Sequence, residues 1–187
     1  MRTSFRHAGY VVATVLLGLV GMVVMTGTAA AEEQPNALLP TISDTFLRPC
    51  PSPCGIQDAV GVKADTNVHT YCRQGDYNVM YSGPLTGRGG FVLRLRLDFP
   101  NLQQQSCTSA GAFASVIASS TLRSCSGPCV DFGAVAAGST TGVFCQLGTS
   151  PNRWFLLYVD QINRAGFLPE SALNTPLPAV PNCNQGL

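Results

Sequence analysis

Apolar and polar residues alternate in short runs along most of the chain, and the runs have the length of strands rather than helices. Residues 140–146 and 154–159 are rich in β-branched and aromatic side chains and are bounded by Gly, Pro and Asn, which predicts two short strands. A third run, 165–168, follows a turn near 160–164. Earlier in the chain, 67–72 has the same character. Leu93, Leu95, Leu97 and Phe99 alternate with Arg94, Arg96 and Asp98, the period of two that puts apolar side chains on one face of a strand. Past residue 31 no stretch keeps a 3.6-residue apolar period over ten residues with caps. Residues 108–122 come nearest, and Gly111 and the serines there weaken a helix. The pattern predicts an all-β chain.

The first 31 residues break this pattern. Arg2 and Arg6 precede an uncharged stretch with an apolar centre at 11–25, and Ala29, Ala30 and Ala31 stand before Glu32. A basic start, an apolar core and small residues at the end predict a signal peptide cleaved after residue 31. Left uncleaved, a run of this length would serve as a membrane anchor. Cleavage leaves 156 residues with nine basic and ten acidic side chains, and His69 as their only histidine. No large single-signed field exists to gather nucleic acid or an anionic membrane. The expected location is secreted, either extracellular or associated with a cell wall.

Export also makes the cysteines readable. All eight follow the signal segment, and an even number in an oxidising compartment favours disulfides. Zinc sites favour Cys-x2-Cys pairs or several histidines; here the close pairs are Cys-x3-Cys with a single histidine, so no metal is expected. Their spacing repeats. Cys50, Cys54, Cys72 and Cys107 are separated by 3, 17 and 34 residues, and Cys125, Cys129, Cys145 and Cys183 by 3, 15 and 37. In the same register Leu47 and Arg48 match Leu122 and Arg123, Val60 matches Val135, and Tyr81 matches Tyr158. Arg88, Gly90 and Phe91 match Arg164, Gly166 and Phe167, and Leu97 matches Leu173. Two copies with a period near 75 are too few for a solenoid and predict a tandem duplication. The expected boundaries are an irregular segment at 32–45, one copy at 46–107, a linker at 108–120, a second copy at 121–183 and a tail at 184–187.

The second copy carries a family resemblance. Leu122-Arg123, the turn 137–141 into 143–146, Arg153-Trp154-Phe155 and the closing run 166–173 (Gly-Phe-Leu-Pro-Glu-Ser-Ala-Leu) resemble a bacterial SH3-type (SH3b) domain. The first copy matches less closely, with 63–66 for the turn and Gly90-Phe91-Val92 for the close, and without a tryptophan near 77–81. The resemblance implies two small SH3-like β-barrels, each stapled by disulfides. A domain near 60 residues buries only about 60% of the surface its unfolded chain exposes, so bridges matter. Because the ends of such a barrel lie close together, it also implies a nested pairing: Cys50 with Cys107 outside Cys54 with Cys72, and Cys125 with Cys183 outside Cys129 with Cys145.

Catalytic chemistry has few reagents in this chain. A Ser/His/Asp relay would need His69, which sits in a strand-like run and is replaced by Gly142 in the second copy, and no Gly-x-Ser-x-Gly elbow exists. The acids Asp44, Asp58, Asp65, Asp76, Asp98, Asp131, Asp160 and Glu170 are scattered singly, and none keeps its place in both copies. Gly87-Arg88-Gly89-Gly90 lacks the Lys-Ser/Thr of a phosphate loop and reads as a hairpin turn. No catalytic residue and no cofactor are expected.

Binding is left, and aromatic side chains are its candidates: Trp154, Tyr158, Tyr77 and Tyr81. A rigid ring supplies contact area at low entropic cost, and both sugars and peptides dock on exposed rings. The repeated Tyr81 and Tyr158, with Phe91 and Phe167, suit core packing as well. Trp154 and Tyr77, unmatched in the sequence register, suit a groove. The resemblance implies a cell-wall-targeting module of a bacterium, so the expected partner is a cell-wall glycan or peptide, or another extracellular protein. Two alternatives stay open: a secreted inhibitor of an extracellular hydrolase, inserting 83–89 or 148–152, and a structural protein of the envelope.

Overall fold

In a computed structural model of the chain the described residues are 37–51, 59–83, 87–99, 101–127, 129–174, 176–177 and 179–185. The expected signal segment, and Cys54 with its expected bridge partner role, lie outside them. The described residues belong to one compact unit, 31–187.

The protein is all-β, as the alternation predicts. One four-stranded antiparallel sheet has the order β1 (Ala37–Pro40), β4 (Asn67–Gln74), β5 (Tyr77–Ser82), β6 (Arg88–Leu93), with a separate ribbon of β2 (Thr45–Leu47) and β3 (Val60–Val62). A six-stranded sheet has the order β7 (Ala112–Ser115), β10 (Thr140–Leu147), β11 (Trp154–Val159), β12 (Arg164–Pro169), β8 (Ser120–Arg123), β9 (Asp131–Val135). Counted from its own first strand, each half joins first, fourth, fifth and sixth strands in that order. The registers agree too: Arg48 bridges Phe91 in one half, and Arg123 pairs with Phe167 in the other. Glycine is required at both crossings, because a Cβ on Gly90 would lie 2.8 Å from the Arg48 carbonyl oxygen and one on Gly166 2.8 Å from that of Arg123.

Five expectations are corrected. Residues 112–115, assigned to a linker, form β7, and 37–40, assigned to an irregular opening, form β1; both are four-residue edge strands with few β-branched side chains. The alternating run 93–99 is not a strand. It turns through a 3-10 helix at Arg94–Arg96, which buries Leu97 and leaves Leu95 and Phe99 exposed. Arg88, Gly89 and Gly90 lie within β6 rather than in a hairpin turn. The bridges are Cys72–Cys107, Cys125–Cys129 and Cys145–Cys183, so the nested pairing is wrong in both halves. Cys50 is also disulfide-bonded.

Neither half closes into the expected barrel: among the described residues both sheets are open. The reason lies in the packing. One apolar cluster is private to the first half, around Leu47, Val68, Met80 and Val92, and another to the second, around Leu122, Phe132, Phe155 and Leu168. A third is shared by both, and includes Tyr71, Tyr81 and Phe91 with Phe144, Tyr158 and Phe167. Its ring contacts are reciprocal. Phe91 meets Tyr158 edge-on at 6.0 Å, its counterpart Phe167 meets Tyr81 at 6.2 Å, and Tyr71 stacks on Phe144 at 5.6 Å. The backbone repeats the exchange, with Gly89 N–H donating to Ser124 O and Ala165 N–H to Pro49 O, each at 2.8 Å. Such reciprocity is the signature of an isologous interface, here inside one chain. Apolar surface that would line two separate barrels is buried between the halves instead.

Candidate functional site

The four aromatic candidates divide into two pairs. Tyr81 and Tyr158 are each 1% exposed and sit in the shared core, so neither ring offers a face to a ligand. Their hydroxyls reach the edge of the core: Tyr81 donates to Asn184 Oδ1 at 2.6 Å, and Tyr158 to Asn163 Oδ1 at 3.0 Å with Asp160 Oδ1 at 3.3 Å. Burial raises the ionisation point of both, and with Asp160 beside it Tyr158 is pushed up to about 12. Trp154 and Tyr77 are half-buried against the same core. Each is the first residue of its half's fifth strand, Tyr77 opposite Leu93 and Trp154 opposite Pro169. They are therefore counterparts after all; the longer loop before Trp154 shifts its sequence register. The Arg123 guanidinium stands 5.8 Å over the Trp154 ring, a cation–π geometry that holds this edge in place.

A groove of roughly 560 Å³ opens in the second half, within the range of ligand clefts. Its walls are apolar, from Ile117, Leu173 and Leu177, and its polar pair is Arg153 with Glu170. The fold brings that pair together because Trp154 and Pro169 are paired across β11 and β12, so the residues just beyond meet as well, with Glu170 N–H donating to Arg153 O at 2.8 Å. The side chains form an ion pair, Arg153 Nε to Glu170 Oε2 at 3.7 Å, without a hydrogen bond between those atoms. Arg153 Nη1 donates to Gln146 Oε1 at 3.1 Å and its guanidinium lies 5.8 Å from the Phe155 ring. Arg153 Nε and Glu170 Oε2 are buried, so what the pair offers a ligand is the rest of the guanidinium and the other carboxylate oxygen. Ser150 and Pro151 of the exposed loop 148–152 form one rim.

This pair was hidden in a scan for paired acids, since one member is basic and the two are 17 positions apart in sequence. The strand register is the signal that finds it: pairing 154–159 with 165–168 places 153 within one residue of 170 across the hairpin, and the observed register, Val159 opposite Arg164, puts them side by side. The corresponding residues of the first half are Asp76 and Arg94, whose backbones meet through Arg94 N–H to Asp76 O at 2.9 Å. The charge order is reversed.

His69 lies on β4, half-buried, its Nε2 without a hydrogen-bond partner, and desolvation lowers its ionisation point. Among the described residues no group of three or more His, Cys, Asp or Glu side chains is placed to hold a metal ion. No protein-family model matches the chain, and no curated protein matches it. Among solved structures it is similar to NlpC1 from Trichomonas vaginalis, at 12% identity and a TM-score of 0.28, over 83% of this chain and 51% of that one. A likeness that distant carries no inference about activity.

Proposed function

We propose that the chain is a secreted, non-enzymatic binding protein built of two SH3b-like copies, and that it holds a cell-wall or other extracellular peptide in the groove beside Arg153 and Glu170. The observation that carries this reading is the pairing of an under-used donor and an under-used acceptor with apolar walls. A peptide offers the complement of each: carbonyls or a carboxylate for Arg153, N–H groups for Glu170, and side chains for Ile117, Leu173 and Leu177. The disulfides suit an oxidising compartment.

Sedimentation with purified bacterial cell walls, and calorimetry with soluble wall peptides, test it. Wild type is expected to be retained by walls and to bind peptide, and Arg153→Ala or Glu170→Ala to weaken both at least fivefold. Absence of wild-type binding to walls and peptides alike defeats the proposal. The exposed loop 148–152 favours one second reading, insertion into an extracellular hydrolase. Inhibition of a secreted hydrolase, lost on replacing that loop and unaffected by Arg153→Ala, would support it instead.

A further inference from the structure

A second opening lies on the other side of the second half's edge strand. It encloses roughly 230 Å³, below the span of drug-sized pockets, so it suits a ligand of one ring. Its floor is Gly142, which pairs with Phe113 on one side and Tyr158 on the other, so all three share one sheet face. Phe113 is 58% exposed, an aromatic ring presented at the mouth. Opposite it stand the Tyr158 hydroxyl, the exposed Asp160 carboxylate and the Thr108 hydroxyl. Gln161 is tied down by a two-fold amide exchange with the Thr140 backbone, at 3.1 and 3.0 Å in the orientation that satisfies both groups.

The first half has the same register with different occupancy. His69 pairs with Leu38 and Tyr81, so an imidazole stands where Gly142 carries no side chain, and Leu38 stands where Phe113 presents a ring. Gly142 has a backbone reason of its own, since a Cβ there would lie 2.6 Å from the Ala110 carbonyl oxygen. The Ala110 carbonyl thus takes the place a side chain at 142 would fill, and the opening lies beside it, between Phe113 and Asp160.

We propose that this pocket is a subsite for a neutral pyranose sugar. No Lys, Arg or His lines it, and Asp160 repels anions, which excludes phosphate and carboxylate ligands. A pyranose has a carbon–hydrogen face that packs on a ring such as Phe113 and an edge of hydroxyls that donate to the Asp160 carboxylate and to the Tyr158 hydroxyl oxygen, whose own hydrogen is held by Asn163 and Asp160. This inference does not rest on the peptide groove, which has separate walls and a separate polar pair.

The test is binding to an array of neutral oligosaccharides ending in glucose, galactose, mannose or N-acetylglucosamine, followed by calorimetry with the best ligand. Wild type should bind at least one class saturably and with little dependence on salt, because no ion pair is formed. Phe113→Ala and Asp160→Asn should each weaken binding tenfold or more. Leu38→Ala, at the equivalent place in the first half, should leave it unchanged, and so should Arg153→Ala, which separates this site from the groove. Because Phe113 and Asp160 are exposed, these variants keep the fold, and circular dichroism checks this. No binding to any neutral sugar overturns the proposal, as does binding that survives both variants. Selective, salt-sensitive binding of Nα-acetyl-lysine in place of sugars overturns it too, since a ring beside a carboxylate would then be a cation site.

Discussion

The two halves of the molecule share strand order, ring positions and backbone crossings, yet they fill their private cores by opposite means. In the first half a buried polar set crosses the sheet: Gln104 Nε2 donates to Thr70 Oγ1 at 2.7 Å, and Asn78 Nδ2 donates to Gln104 Oε1. At the equivalent register the second half has Val143, Val180 and Phe155, all packed in its apolar cluster. One scaffold therefore accepts either a hydrogen-bonded network or plain hydrophobic packing at the same three places. The network is not complete, since Asn78 Oδ1 is buried without a hydrogen-bond partner. The halves also differ at the surface: the apolar-cored half carries both openings, and at the equivalent positions the polar-cored half has His69 and a reversed charge pair. Shared backbone and shared central rings set the frame, and the differences sit in the private cores and at the outer edges of the sheets.

The sharpest way to break this comparison is to remove a crossing ring. Phe167 is fully buried against Tyr81, and Phe91 against Tyr158. Either one replaced by Ala is expected to cost about 3–5 kcal/mol, the usual range for a buried Phe. Since the rings belong to both halves, unfolding should stay a single transition in calorimetry and move as a whole. A scan that splits into two transitions, with one half melting at its wild-type temperature, would show that the halves are independent and the shared core incidental.

Much of this frame was legible in the sequence because strands announce themselves by alternation and boundaries. Residues 154–159 were read to the residue, and 140–146 and 165–168 to within one or two. The matched apolar positions, from Leu47 with Leu122 to Leu97 with Leu173, fall in the buried cores, and the matched arginines are half-buried at their edges. What stayed hidden was of two kinds. Short edge strands such as 37–40 and 112–115 are held by their neighbours rather than by their own residues, so composition read them as loop. The disulfide pairing and the shared core depend on which surfaces meet, and spacing does not report that; Cys72 and Cys107 pair because the segment before Cys107 runs alongside β4, through Arg73 N–H to Gln105 O at 2.8 Å. The alternation at 93–99 misled because Leu97 alone faces inward, after one turn of 3-10 helix.

A middle-sized effect tests the contrast between the private cores. Gln104→Ala removes the acceptor of Asn78 and the donor to Thr70, which keeps its own bond to Ala37 O, and is expected to cost about 1–3 kcal/mol. Installing the second half's solution, with Thr70→Val, Asn78→Phe and Gln104→Val together, should recover part of that loss, because apolar groups leave nothing unpaired. Chemical denaturation measures both. If the triple variant is less stable than Gln104→Ala alone, the two cores are not interchangeable and the space around Asn78 does not admit a ring.

The smallest effect is a pH dependence that belongs to the shared core and to neither half alone. Tyr71, Tyr81 and Tyr158 all have ionisation points raised above the ordinary tyrosine value of about 10, chiefly by burial, and Tyr158 to about 12. A group whose folded value lies above its unfolded one binds its proton more tightly in the native state, so its contribution is complete below about pH 10 and is lost as pH rises through the folded value. Their contribution to stability should accordingly be constant below pH 10 and fall between 10 and 12. Absorbance at the tyrosinate band should show these rings titrating only as the protein unfolds. Replacing all three by Phe should flatten the fall. Three tyrosinates forming at pH 10 with the fold intact would mean that solvent reaches the seam, and that the reciprocal ring contacts do not seal it.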